Sequence, residues 1–152
     1  MTIDEVIGPV MLPLAFALAL IAALWMVQHL ARRYPSVPKR IPARIGIDGR
    51  PSKQVVGKWF LWLAPAILAA VIVGLGVAVW SVRPPPDEST RPILALAFLI
   101  CAELVYFITW MTDRQIEIAR KMTYRISPAR TLRAALPVLL TTAVVLVMAT
   151  RL

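Results

Sequence analysis

The chain has 152 residues, 59% of them hydrophobic, and a formal net charge of +9; its mean hydropathy is +0.73. So apolar a composition excludes an ordinary water-soluble domain, and the length leaves room for one bundle without a separate soluble domain. A single cysteine, Cys101, excludes an intrachain disulfide and a cysteine-based metal cluster, and reads as a small packing residue.

The chain opens Met-Thr-Ile-Asp-Glu. Asp4 and Glu5 stand where a signal peptide carries positive charge, so the first apolar stretch reads as a retained membrane helix. Four such stretches follow one another: Pro9–Leu30, Trp59–Val82, Pro92–Met111 and Ala134–Thr150. A hydrocarbon core about 30 Å thick takes about 20 apolar residues as helix. The pattern predicts an all-α integral membrane protein, a four-transmembrane-helix bundle forming one domain over residues 1–152.

The first stretch carries Ala15, Ala19 and Ala23 at four-residue spacing, and the second carries Ala66, Ala70, Gly74 and Ala78. Small residues in a stripe let membrane helices approach closely, so both stripes are expected to face protein. His29, the one histidine, falls at the end of the first helix. A cation there suits the helix dipole; a single axial ligand to a haem or chlorophyll is the other use open to it.

Between the first two helices, the loop 31–58 carries Arg32, Arg33, Lys39, Arg40, Arg44, Arg50, Lys53 and Lys58 against Asp48 alone. Pro35, Pro38 and Pro42 block a helix. Asp48-Gly49, flanked by Ile45 and Ile47, is a turn signal, and Pro51 fixes the exit. An ordered, Pro-rich cytoplasmic loop with a short hairpin is expected, packed on the membrane surface. Arg32, Arg33, Lys39, Arg40 and Arg44 are its expected contacts with anionic lipid headgroups or an acidic partner surface.

In this loop Tyr34-Pro35, Ile41-Pro42, Asp48-Gly49, Pro51 and Lys58 stand in an order that resembles a bacterial integral-membrane domain of unknown function. That domain also forms part of the SdpI-type immunity proteins. The resemblance covers roughly residues 10–75 and implies a matching membrane architecture and, by way of those proteins, toxin immunity or signal relay. Arg44 occupies the family's histidine position, and Ser52 stands where the family has an acid. Arginine stays charged and offers no lone pair to a metal, so a metal-binding or titrating role does not carry over.

Further along, Pro84-Pro85-Pro86 ends the second helix in a loop that balances Arg83 and Arg91 against Asp87 and Glu88. Trp59, Trp62 and Trp110 mark one membrane boundary and Trp80 the other. Glu103 lies near the middle of the third helix. A carboxyl at that depth is expected to face the bundle, with Thr141 or Thr142 as partner. The third helix is expected to extend to about residue 125, with Ile116, Ala119 and Met122 as an interfacial face. Asp113 and Glu117, beside Arg114, Arg120 and Lys121, read as a solvated ion-pair surface. Ser127-Pro128 ends that segment and can start the fourth helix, whose Arg151 would snorkel to headgroups.

The loop 112–133 carries six Lys and Arg against two acids, so the positive-inside rule places it and the first loop in the cytoplasm and both termini outside, in a bacterial inner membrane. No metal-ligand cluster, nucleophile with a base, phosphate loop or dinucleotide fingerprint occurs. The expected role is non-enzymatic, without a cofactor or nucleic acid: an accessory, immunity or structural component, with other membrane subunits as partners. Two alternatives stand: a subunit of a larger membrane bioenergetic complex, and a small proton-coupled transporter using Glu103.

Overall fold

The computed structural model of the chain describes residues 3–46, 48–83, 85–121 and 126–150. Ile47, Pro84, Met122, Tyr124, Arg125 and Arg151, to which the sequence assigns roles, lie outside them. Four helices dominate: α1 (Ile3–Arg33), α2 (Leu63–Ser81), α3 (Thr90–Ala119) and α4 (Pro128–Ala149). The spans Pro9–Ser36, Lys58–Ser81, Thr90–Ala119 and Pro128–Met148 are long and apolar enough to cross a membrane. Their outward surfaces are apolar too: Leu24, Ile67, Val77, Leu140 and Leu146 are each more than half exposed. Hydrocarbon, unlike water, is a suitable surrounding for such a surface.

The helix boundaries depart from the sequence expectation in ways that local chemistry explains. Entry to α2 is a 3-10 turn, Lys58–Trp62, and Pro65 then sits in the first α-helical turn, where a missing N–H is harmless. The α4 helix begins six residues before the apolar run but where Ser127-Pro128 was expected to start it, because Ser127 is extended and Pro128 takes the first helical position. At the other extreme, α3 stops at Ala119 and Lys121 adopts a left-handed φ of 58°. The expected continuation of this helix to about 125 is therefore corrected.

Two apolar cores hold the elements together. The larger joins α1, α2 and α3 through Ala19, Met26, Ile72, Phe98 and Val105. Here Ala19 and Ala23 are buried, so the α1 stripe does face protein. The α2 stripe does not face the chain's own core: Ala66, Ala70, Gly74 and Ala78 are all exposed, and Pro65, Leu68, Ile72 and Gly76 face the core. Phe16 explains the choice of face. A Cβ on Gly76 would lie 2.4 Å from its ring, and Phe16 is itself set against Phe98 and Trp80 at centroid distances of 5.0 and 4.8 Å. α4 packs chiefly on α3 and contributes nothing to either core.

The smaller core unites Leu30, Val37, Ile41, Leu61 and Ile116 at the far end of α1. Ile116 is fully buried there, which corrects its expected place on an interfacial face. A membrane-surface position would leave it half-wet, whereas the loop between α1 and α2 supplies an apolar cover. That loop contains the only strands among the described residues, β1 (Arg40–Pro42) and β2 (Val55–Gly57), paired antiparallel with Ile41 opposite Val56.

Candidate functional site

The candidate site is the end of the bundle where the loop 31–58 meets the connection between α3 and α4. Tyr34–Ser36 form one 3-10 turn directly after α1, with Pro35 in its first positions. The β1–β2 pairing continues outward: Ala43 donates to the Gln54 carbonyl at 2.9 Å, Ser52 to Arg44 at 2.9 Å and Gly46 to Arg50 at 2.8 Å. Pro42 sits in β1 opposite Val55, and Pro51 bridges Ile45 near the tip. The Asp48 carboxylate accepts the Arg50 N–H at 3.2 Å, which tightens the turn.

Gly49 is where the hairpin docks. Its φ is +77°, and its carbonyl accepts the Ile126 N–H at 2.9 Å. A Cβ at this position would fall 1.8 Å from the Ile126 carbonyl oxygen, so only glycine fits. Ile126 is buried beneath the hairpin. Two loops far apart in sequence thus share one end of the bundle. At the opposite end Pro9 and Pro13 of α1 border the same cavity as Pro85, Pro86 and Arg91.

The two ends of the proline-punctuated motif also meet. The Lys58 ammonium stands 4.4 Å above the Tyr34 ring centroid, and Tyr34 lies 5.9 Å from Trp62. Sequence reading assigned Tyr34 and Lys58 to one motif without finding this contact.

Electrostatics at this end are one-sided. The segments 32–58 and 112–133 hold fourteen Lys and Arg against Asp48, Asp113 and Glu117. Each of these acids is engaged within the chain. Asp113 accepts Arg33 Nη1 at 2.6 Å and His29 Nε2 at 3.0 and 3.1 Å. Glu117 takes Arg114 Nη1 at 2.6 Å. Asp113 was expected on a solvated surface with Glu117. It instead joins α3 to α1, with its side chain 20% exposed. The same pair turns Arg33 inward, so it is a helix–helix tie, in contrast with its expected outward role. Arg32, Lys39, Arg40 and Arg44 remain exposed, and none makes an ion pair among the described residues.

His29 stacks on Trp25 at 5.4 Å while its Nε2 meets Asp113. That nitrogen is committed, which closes the usual axial-ligand geometry. Among the described residues no group of three or more His, Cys, Asp or Glu could hold a metal ion.

Glu103 lies apart from this end, between α3 and α4. Thr141 Oγ1 donates to its Oε1 at 2.8 Å, while Thr142 bonds the Val138 carbonyl at 2.7 Å. Of the two threonines the sequence offered, Thr141 is the partner. Glu103 Oε2 is buried and has no hydrogen-bond partner among the described residues.

Comparison with known protein families, with characterised proteins and with solved structures finds no match to this chain.

Proposed function

We propose that the chain is a non-enzymatic, multi-pass protein of the bacterial inner membrane that works by association, as an accessory or immunity-type component. Its working surface is the basic cap formed by the loop 31–58 on the connection between α3 and α4, and the cap faces the cytoplasm. The observation that carries this reading is the hydrogen bond between Gly49 and Ile126, which unites the two basic loops. Arg32, Lys39, Arg40 and Arg44 then present charge that no carboxylate among the described residues neutralises, which suits an acidic partner or anionic headgroups. The likeness of the loop to the SdpI-type family agrees with this role.

The test is extraction of the native complex in mild detergent, beside a variant with Arg32, Lys39, Arg40 and Arg44 all replaced by Glu. A partner at fixed stoichiometry that is lost from the variant, with helical content unchanged, is the expected result. Equal retention of that partner would remove the cap from the account.

A second reading, a small proton-coupled transporter, is favoured by the unpartnered Oε2 of Glu103 inside a membrane-spanning helix. Glu103→Gln keeps the oxygen that Thr141 bonds and removes the ionisable group. Proton-driven flux in vesicles that survives Glu103→Gln, or is absent from the wild type, eliminates this reading.

A further inference from the structure

At the end of the bundle away from the basic cap, the start of α1 and the end of α2 diverge around a groove of about 190 Å³. Leu12, Pro13, Val79, Trp80 and Pro86 line it, and Arg91 stands at its lip. Trp80, in its wall, is backed by Phe16 at 4.8 Å and Phe98 at 6.3 Å, and prolines border both sides. A groove of this composition on a membrane-spanning bundle is filled by hydrocarbon, because water there finds few polar partners.

The charges at the lip specify more than hydrocarbon. Arg91 is half-buried and held by one bond, Nε donating to the Pro86 carbonyl at 3.1 Å. No carboxylate among the described residues pairs with it, so its two terminal nitrogens are open to an acceptor. A guanidinium fork fits phosphate oxygens well. Immediately before it in the chain stand Asp87 and Glu88, both exposed. Hydrogen bonds from Thr90 and Ser89 hold the Asp87 carboxyl below the usual carboxylate range, so it is anionic at neutral pH. A headgroup carrying only negative charge would meet these carboxylates; one with a primary ammonium would complement them, since it donates hydrogen bonds that a trimethylated choline nitrogen cannot.

We propose that this groove binds a single phosphatidylethanolamine, with part of one acyl chain along Leu12, Val79 and Trp80, the phosphate on Arg91, and the ammonium toward Asp87 and Glu88. The site is separate from the basic cap and needs only that the bundle spans a bilayer. It selects a zwitterionic lipid, whereas the cap attracts anionic ones.

The test uses the full chain in phosphatidylcholine vesicles containing a little phosphatidylethanolamine with a diazirine on one acyl chain. After illumination, labelled peptides are mapped by mass spectrometry. Adducts are expected to concentrate around residues 9–13 and 79–82. Unlabelled phosphatidylethanolamine should compete about five-fold better than phosphatidylglycerol, the upper range for one exposed ammonium–carboxylate pair. Arg91→Gln should lower the labelling about five-fold through loss of one guanidinium–phosphate pair. Val79→Trp should abolish it by filling the groove while Arg91 and its turn stay in place. Glu88→Gln should narrow the preference over phosphatidylglycerol. Labelling spread evenly over the lipid-facing helices, or unchanged in both Arg91→Gln and Val79→Trp, would overturn the site. Equal competition by phosphatidylglycerol would overturn its headgroup selectivity.

Discussion

A side chain at position 49 has nowhere to go. The backbone there is left-handed, and the space a Cβ would need is taken by the Ile126 carbonyl. Gly49→Ala should therefore release the hairpin from the connection between α3 and α4, at a cost of about 1–3 kcal/mol. Trypsin reads this directly, since the bonds after Arg44 and Lys53 lie on the hairpin, while Pro51 protects the bond after Arg50: cleavage there should accelerate, and an unchanged rate would mean that the hairpin holds without the bond. Asp113 is the second residue with a defined load. It accepts from Arg33 and His29 together, at a depth where its side chain is largely shielded. Asp113→Asn and Arg33→Gln should each destabilise the bundle, and a double-mutant cycle should return a coupling of about 0.5–3 kcal/mol. Additive effects would show the pair to be a surface contact of no consequence.

Among the elements, α2 shows how far sequence pattern reaches. Spacing singled out Ala66, Ala70, Gly74 and Ala78, and that stripe faces away from the chain's own core. The buried set Leu68, Ile72 and Gly76 is offset from it by two residues, about 200° around the helix. The reason is physical: α2 is apolar on all sides, so no polar face fixes its rotation, and small residues occur on both faces. What sets the phase is the bulk of Phe16, which needs a glycine opposite it. Gly76→Ala should therefore cost about 1–3 kcal/mol by overpacking. Gly74→Ala, with open space at its Cβ in mid-helix, should be neutral or stabilise by up to about 1 kcal/mol. Unfolding of both variants in the same detergent compares them, and equal losses would contradict the assigned face. In α1 the same spacing argument found the buried face, with Ala19 and Ala23 in the core. The end of α3 was less legible, because tertiary contacts of Ile116 override the expected interfacial face there, whereas Ser127-Pro128 marked the start of α4 against its hydropathy.

For the whole molecule, charge distribution was the most informative part of the sequence. Two loops rich in Lys and Arg alternate with a balanced one, which is enough to expect four helices and a shared side for those two loops. Their physical union was not legible. It rests on a backbone hydrogen bond between residues 49 and 126, and backbone groups carry no sequence signature. The partners of Asp113 were hidden for a related reason, since many cations in the basic loops could have served. Glu103 is the reverse case: a carboxyl deep in an apolar helix announces itself, and its partner Thr141 comes from α4, which packs on that side of α3.

The central claim is that both basic loops form one cytoplasmic cap on a four-helix membrane bundle. Single cysteines at Arg44, Glu88 and Arg130, in a Cys101→Ser background, test it with a membrane-impermeant thiol reagent on intact cells. Positions 44 and 130 should stay unlabelled until the membrane is opened, while position 88 labels at once. Labelling of 44 or 130 from outside, or of the two from opposite sides, would contradict the cap.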